Sequence, residues 1–239
     1  VGAVAETRRS WRERDPLPPT LVVLTGVTGI IDAVCFLGMG EVFAANMTGN
    51  IVLMGFAVAG DDDPSVGGRF VALGAFVLGA LVAGRLTHRF VTLEPRRWLL
   101  LLAAVNVVLL LTAATLAIGL PLHTTFGERW PILLCIGFAM GYKNAAARRL
   151  SVPDLNTTVV TSTLVGLVVD NPVSGGDAVR PIRRVAAIVA LFLGAALGGL
   201  LVLNVSISWA LVVATAISAS AILLHAAHPA ARAARSPAA

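Results

Sequence analysis

Asp32 lies about two-thirds of the way along an apolar run, with Ile30, Ile31, Ala33, Val34 and Cys35 around it. A carboxylate that stays ionised in such surroundings needs a cation or several hydrogen-bond donors. That suits a proton-coupling group or a cation ligand; an aspartate bonded to Thr25, Thr28 or a facing helix is the plainer reading. Shortly after it, Asn46-Met47-Thr48-Gly49-Asn50 interrupts the apolar sequence. A Thr-rich counterpart, Asn156-Thr157-Thr158-Val159-Val160-Thr161-Ser162-Thr163, follows a later apolar run that carries Asn144 where the first carries Asp32. Polar groups at membrane depth are expensive, so two related copies predict a site between two halves of the chain. The candidate substrate contacts are Asp32, Asn46, Thr48, Asn50, Asn144, Thr157, Thr158 and Thr161. Neutral donors and acceptors of this kind fit a small polar solute; capping of short helices is the structural alternative for the same residues.

Charged groups elsewhere point to less. Lys143, Arg148, Arg149 and Asp154 gather at one end of a run, where snorkelling and the bias of basic residues toward the cytoplasm account for most of them. A cytoplasmic gate formed by Arg148 and Asp154 is the weaker, functional alternative, with Glu41 as an external counterpart. Asp61-Asp62-Asp63 read as a solvated loop. Asn106 and Asn204 stand alone and carry no message. His88, His123, His225 and His228 are scattered, and Cys35 and Cys135 sit inside apolar runs without a CxxC spacing, so no metal or cofactor is expected. HExxH, GxSxG and GxxxxGK[ST] are all absent, which argues against an enzyme.

These residues need elements to position them, and composition names the kind. The chain is 57% hydrophobic and 13% charged over 239 residues, with a mean hydropathy of +0.86. A soluble domain does not look like this. Apolar runs near 20–39, 70–88, 98–119, 130–147, 185–204 and 207–225 are each long enough to cross a hydrocarbon core of about 30 Å as helix. The net charge of +5 does not imply nucleic acid, because the arginines flank the apolar runs. The first run follows Arg8, Arg9, Arg12 and Arg14 and contains Asp32, so it is expected to be a retained span and not a cleaved signal.

Internal repetition is visible in the order of features. Arg69 is followed by Phe76, Gly79, Ala80 and Gly84, and Arg184 by Phe192, Gly194, Ala195 and Gly199; Gly29-x-x-Asp32-Ala33 aligns with Gly141-x-x-Asn144-Ala145. Two shorter tracts, 47–60 and 157–169, decide how the halves point. If they only dip into the membrane, six spans result and the halves are inverted. If they cross, eight spans result and the halves are parallel. With the N-terminus inside, six spans leave sixteen Lys and Arg inside against two outside, whereas eight spans leave eleven against seven. The cytoplasmic excess of basic residues favours six. Gly38, Gly40, Gly49 and Pro153 would break helices at the dips.

The motifs Thr25-Gly26-x-x-Gly29-x-x-Asp32-Ala33, Asn46-Met47-Thr48-Gly49-Asn50, Asn144-Ala145-x-x-Arg148 and Pro153-Asp154-x-x-Thr157-Thr158-Val159-x-Thr161 resemble the YoaK family of bacterial inner-membrane proteins. The resemblance covers nearly the whole chain apart from its tails. It implies an inner-membrane protein for which small-molecule transport is suspected, and it supplies no substrate. Gln commonly precedes the Asn of the second half in that family; this chain has Lys143 there.

The expectation is an all-α polytopic membrane protein of six full spans and two short or re-entrant helices, built as an inverted repeat, with an eight-span parallel repeat as the alternative. Residues 1–19 and 229–239 form cytoplasmic tails around one transmembrane domain, 20–228, with repeats near 20–119 and 130–228. The expected function is secondary transport of a small polar metabolite, proton-coupled through Asp32. A non-transporting scaffold or lipid-binding protein is the alternative, and an intramembrane enzyme comes third. The partners expected are the lipid bilayer and the solute, with no nucleic acid. Gly137-xxx-Gly141 and Gly194-xxx-Gly198 permit close packing within one bundle or in a homo-oligomer.

Overall fold

Two prolines set where the first helix begins. α1 runs from Leu17 to Gly38 with Pro18 in its first turn, where the missing N–H has no helical partner to lose. Thr20 Oγ1 donates to the Pro16 carbonyl at 2.8 Å and secures that turn. The helix ends at a reversal made by Gly40 and Glu41, whose φ angles are 90° and 54°. The computed structural model describes residues 16–89, 95–119, 126–149, 160–170 and 181–229.

Among the described residues seven more helices follow: α2 (Met47–Val58), α3 (Val66–Arg89), α4 (Pro95–Gly119), α5 (Trp130–Arg149) after a 3-10 turn at Phe126–Arg129, α6 (Val160–Val169), α7 (Pro181–Asn204) and α8 (Ile207–Ala227). No strand occurs among the described residues. α1, α3, α7 and α8 are long and apolar enough to cross a membrane, and α2 and residues 103–119 of α4 are shorter apolar helices. Val77, Leu78, Leu81, Phe192, Leu200 and Leu203 face outward without cover. An exposed apolar belt of that extent is what a lipid-facing surface requires. This is an all-α protein of the membrane.

Glycines determine which helices touch. Between membrane helices no hydrophobic force operates, so association relies on close packing of small residues. A Cβ on Gly29 would strike the Leu191 carbonyl, and one on Gly194 would strike that of Gly26. Gly141 and Gly79 meet the carbonyls of Phe76 and Phe138 in the same way. Two seams result, α1 against α7 and α3 against α5. Contacts advance in step along each, Gly26 with Ala190 and Ile30 with Gly198, Ala72 with Gly137 and Phe76 with Gly141. Both pairs are therefore parallel. Gly137-xxx-Gly141 and Gly194-xxx-Gly198 are both used inside the bundle.

α4 and α8 pack on each other and close the middle, α4 also against α5 and α8 also against α1. A single core joins them, with Ile31, Val34, Leu110, Ile136, Met140, Leu211 and Ala214 all fully buried. The short helices stand outside it. α2 leans on α3 and α6 on α7, and α2 buries only Asn50.

Two arginines depart from the expected loop role. Arg69 is wholly buried and pairs with Asp63, while its Nε donates to the Glu41 carbonyl at 3.3 Å. Asp63 is thus not part of a solvated acidic loop, although Asp61 and Asp62 are exposed. Arg184, also buried, donates to Asp170 at 2.7 Å. At both places an Asp just beyond a short helix holds an Arg near the start of the next long one.

Candidate functional site

Asp32 is occupied by backbone. Its Oδ1 accepts the N–H groups of Ala44 at 3.0 Å and Ala45 at 2.8 Å. This holds the non-helical segment before α2, whose free backbone groups need partners inside the protein. Asn50 serves the same segment: its Oδ1 accepts Phe43 N–H at 2.8 Å and its Nδ2 donates to Phe43 O at 2.7 Å. Asn46 caps α2 by accepting Gly49 N–H at 3.4 Å. Gly49 is small because a Cβ there would lie 2.8 Å from the Phe43 ring, which also meets Phe36 at 5.0 Å between centroids. The Asn-Met-Thr-Gly-Asn element is therefore a bonded helix entry, with Thr48 left exposed.

The other residues singled out by sequence do not gather around it. Thr161 is exposed on α6, Asn46 and Thr48 are exposed on α2, and Arg148 is exposed at the end of α5. Asn144 is half-buried on α5. Asp154, Thr157 and Thr158 lie outside the described residues.

Lys143 is the residue the sequence placed wrongly. It does not snorkel to an interface; it reaches across from α5 to α1, where its Nζ donates to Thr28 Oγ1 at 2.6 Å and to the Leu24 carbonyl at 3.4 Å. Thr28 in turn donates to Leu24 O at 2.9 Å. Thr28 and Asp32 are one turn apart on α1 and share a face. The ammonium and the carboxylate thus feel each other's charge, with no direct ion pair between them.

Asn106, dismissed as isolated, bridges α4 to α5. Its Nδ2 donates to Ala139 O at 3.0 Å, its side chain is 3% exposed, and its Oδ1 has no hydrogen-bond partner. Both residues line one cavity of about 50 Å³ among α1, α4, α5 and α8, together with Thr20, Leu21, Ser218 and His225. Thr20 Oγ1 lies 3.5 Å from His225 Nδ1 at its edge. The lining comes from the N-terminal parts of α1 and α4 and the C-terminal parts of α5 and α8.

A second, larger hollow of about 800 Å³ lies at the opposite end. The C-terminal ends of α1 and α7 and the start of α8 border it, with Glu41, Arg129, Ser206 and Ser208 on its wall. Between the two hollows α1 continues from Leu24 to Phe36, a rise of about 18 Å. Ile31, Val34, Leu110 and Ala214 fill that interval. The arrangement is two openings separated by a packed plug, with Thr28, Lys143 and Asp32 beside it. A periodicity-based reading had no access to Asn106 or Lys143, because both act across helices distant in sequence. The one available signal was a polar residue on an otherwise apolar α4 stretch, Val105-Asn106-Val107.

A family model described as "Protein of unknown function (DUF1275)" matches residues 20–224. The chain is also similar to a curated protein of Bacillus subtilis (strain 168), "UPF0700 transmembrane protein YoaK", with 32% identity over 154 residues, covering 63% of this chain and 66% of that protein. The chain thus spans just under two thirds of that relative's length. No solved structure matches it significantly.

Proposed function

The chain belongs to the DUF1275 family of proteins of unknown function, and we propose that it is a secondary transporter of a small polar solute across the bacterial inner membrane. The observation that carries this reading is the pair of hollows at opposite ends of α1, α4 and α8 with a packed plug between them. A carrier caught between its two open states has that form, with its site beside the plug. The protein acts by moving the solute and performs no chemical step on it.

The membrane path that goes with this function has six crossings, α1, α3, α4, α5, α7 and α8, with both termini in the cytoplasm. α2 and α6, of 12 and 10 residues, rise only about 18 and 15 Å and return to the side they left. The two halves are inverted copies. Exchanging α1 with α5, α2 with α6, α3 with α7 and α4 with α8 carries the α1/α7 seam onto α5/α3. It also carries Asp63–Arg69 onto Asp170–Arg184. α1 and α5 approach the inner cavity with opposite ends, as inverted copies would.

Asp32 couples transport to protons. A proton on it removes the negative charge one turn from the Lys143–Thr28 bond and loosens the backbone it holds at Ala44 and Ala45. Asp32→Asn keeps an oxygen for those N–H groups and loses the proton site. Purified protein screened for thermal stabilisation by soluble metabolites supplies a solute, and its uptake is then followed in sealed vesicles under an imposed pH gradient. The variant is expected to insert and elute normally while gradient-driven uptake disappears. Undiminished, pH-dependent uptake by Asp32→Asn would sink the coupling.

A further inference from the structure

We propose that the larger hollow, at the shared ends of α1, α7 and α8, binds a phospholipid whose headgroup joins a primary ammonium to a phosphate, with its acyl chain leaving sideways along α7. The site goes beyond the transport reading and does not rest on it.

Depth is the first argument for a lipid. α1, α7 and α8 are each long and apolar enough to cross a membrane, and the hollow lies where α1 and α7 end and α8 begins. The ends of spanning helices reach the headgroup layer. Trp130 and Trp209 directly follow the lining residues Arg129 and Ser208, and both indoles are exposed. Exposed tryptophans settle where hydrocarbon meets water. The hollow also opens to the side. Val185, Val189, Phe192, Leu200 and Leu203 recur at helical spacing on one face of α7, and all are exposed. Leu203 belongs to the wall of the hollow as well, so an acyl chain lying on that stripe enters over Leu203. A volume of about 800 Å³ is in the range that holds a whole small ligand or headgroup.

Charge supplies the identity of the headgroup. Among the described residues the wall carries one acid, Glu41, and one base, Arg129. Glu41 is held there against its own preference. Its φ of 54° is a left-handed conformation that residues with a Cβ rarely adopt. Its N–H donates to the Phe36 carbonyl at 2.9 Å, its own carbonyl accepts Arg69 Nε, and its side chain stays exposed. Glycine would take this conformation freely, so a glutamate at the position keeps a carboxylate on a rigid corner of the hollow. Arg129 is half-buried, and its guanidinium has five donors in a planar fork, which accommodates a phosphate beside other contacts. An anionic headgroup without an amine suits Arg129 and is repelled by Glu41. A quaternary ammonium offers Glu41 charge but no N–H. A primary ammonium linked to a phosphate answers both residues. The chain then covers the apolar wall of Leu37, Val202 and Leu203, which a free headgroup would leave wet.

The test uses the full chain, purified in detergent and stripped of lipid, with native mass spectrometry and thermal unfolding as readouts. Phosphatidylethanolamine, phosphatidylcholine and phosphatidylglycerol with identical acyl chains are the probes. Phosphatidylethanolamine is expected to bind about tenfold more tightly than either of the others and to raise the melting temperature most. Glycerophosphoethanolamine, the same headgroup without chains, should give no shift. Arg129→Gln should weaken all three lipids. Glu41→Gln should erase the preference for phosphatidylethanolamine over phosphatidylglycerol. Should that variant fail to fold, Glu41→Gly provides the second arm, because it removes the carboxylate and relieves the backbone: it is expected to melt no lower than the unaltered protein without lipid and to lose the same preference. Equal binding of the three lipids by the unaltered protein, a preference retained by Glu41→Gly, or an equal shift with glycerophosphoethanolamine would each overturn the site. Lipid binding is read without a solute or a gradient, so its failure leaves uptake untouched, and absence of uptake leaves the lipid site in place.

Discussion

The Asp63–Arg69 and Asp170–Arg184 pairs use the same chemistry in the two halves, yet they are buried to different depths. Arg69 is wholly enclosed and Asp63 is 17% exposed, whereas Asp170 is 43% exposed against a 9% exposed Arg184. Arg69 also reaches the Glu41 carbonyl, so it ties the end of α1 and the start of α3 into one corner. Arg184 is accommodated because Gly166 has no side chain; a Cβ there would lie 2.9 Å from its Nη1. The first pair is an interior joint and the second sits at a rim. Two Asp–Arg pairs of the same kind can thus differ in energetic weight with the depth at which each is buried.

The sharpest way to break this comparison is to remove each arginine. Arg69→Met leaves Asp63 and the Glu41 carbonyl without their donor, and should destabilise the protein by about 3 kcal/mol, as broken buried pairs do. Arg184→Met leaves Asp170 in reach of solvent, and should cost about 1 kcal/mol or less. Denaturant titration in detergent reads both. Equal losses would mean that burial does not separate the two joints.

Much of this architecture could be read from sequence, because long apolar helices announce themselves by their length and composition. The runs near 20–39, 70–88, 98–119, 130–147, 185–204 and 207–225 coincide with α1, α3, α4, α5, α7 and α8 to within a few residues at most ends. The short tracts became α2 and α6. The glycine spacings carried the seams, since only small residues let backbones meet. Side-chain roles were harder to see. Arg69 and Lys143 looked like topology markers because the basic-residue bias explains any Lys or Arg near a helix end, and it says nothing about partners across the bundle. Asp63 was hidden inside an acidic triplet. The repeated order of short tract, Asp and then Arg was present in the sequence and is the feature that would have exposed both pairs.

The two glycine seams offer a comparison in which the two sides should agree. Gly141→Leu and Gly29→Leu each drive a side chain into a facing carbonyl, of Phe76 and of Leu191. Each should cost about 2 kcal/mol through forced separation of its helix pair. Gly55→Leu, with nothing within 4 Å on α2, should change stability by less than about 0.5 kcal/mol. Unfolding midpoints of the three variants test this, and a large loss at Gly55 would show that α2 packs on something beyond this bundle.

Acid sharpens the interior joint further. Partial burial pushes the Asp63 carboxyl up, but the Ser65 N–H and the Arg69 guanidinium outweigh it and hold the group below its ordinary value of 3.8. A carboxyl lowered on folding stabilises the protein fully above its unfolded value, and that stabilisation fades as pH falls through the lower folded value. Asp63→Asn should therefore be less stable than the unaltered protein near neutral pH. The gap should narrow progressively below about pH 4. Melting temperatures of both proteins across that range check the sign, and a gap that widens with acid would contradict it.

The smallest expected effect separates the two polar side chains that α2 shows to the outside. Asn46 and Thr48 looked equivalent in sequence, both exposed and both able to contact a solute. Asn46 accepts the Gly49 N–H at the start of the helix, where four donors have no helical partner. Its replacement by Ala should cost about 1 kcal/mol, the usual value of a lost cap. Thr48 makes no such bond, and Thr48→Ala should leave stability within about 0.5 kcal/mol. Hydrogen exchange at the Gly49 amide gives the local readout: faster exchange in Asn46→Ala and no change in Thr48→Ala. If neither variant alters exchange while both lower solute affinity, the element contacts the solute and its helix-entry role is secondary.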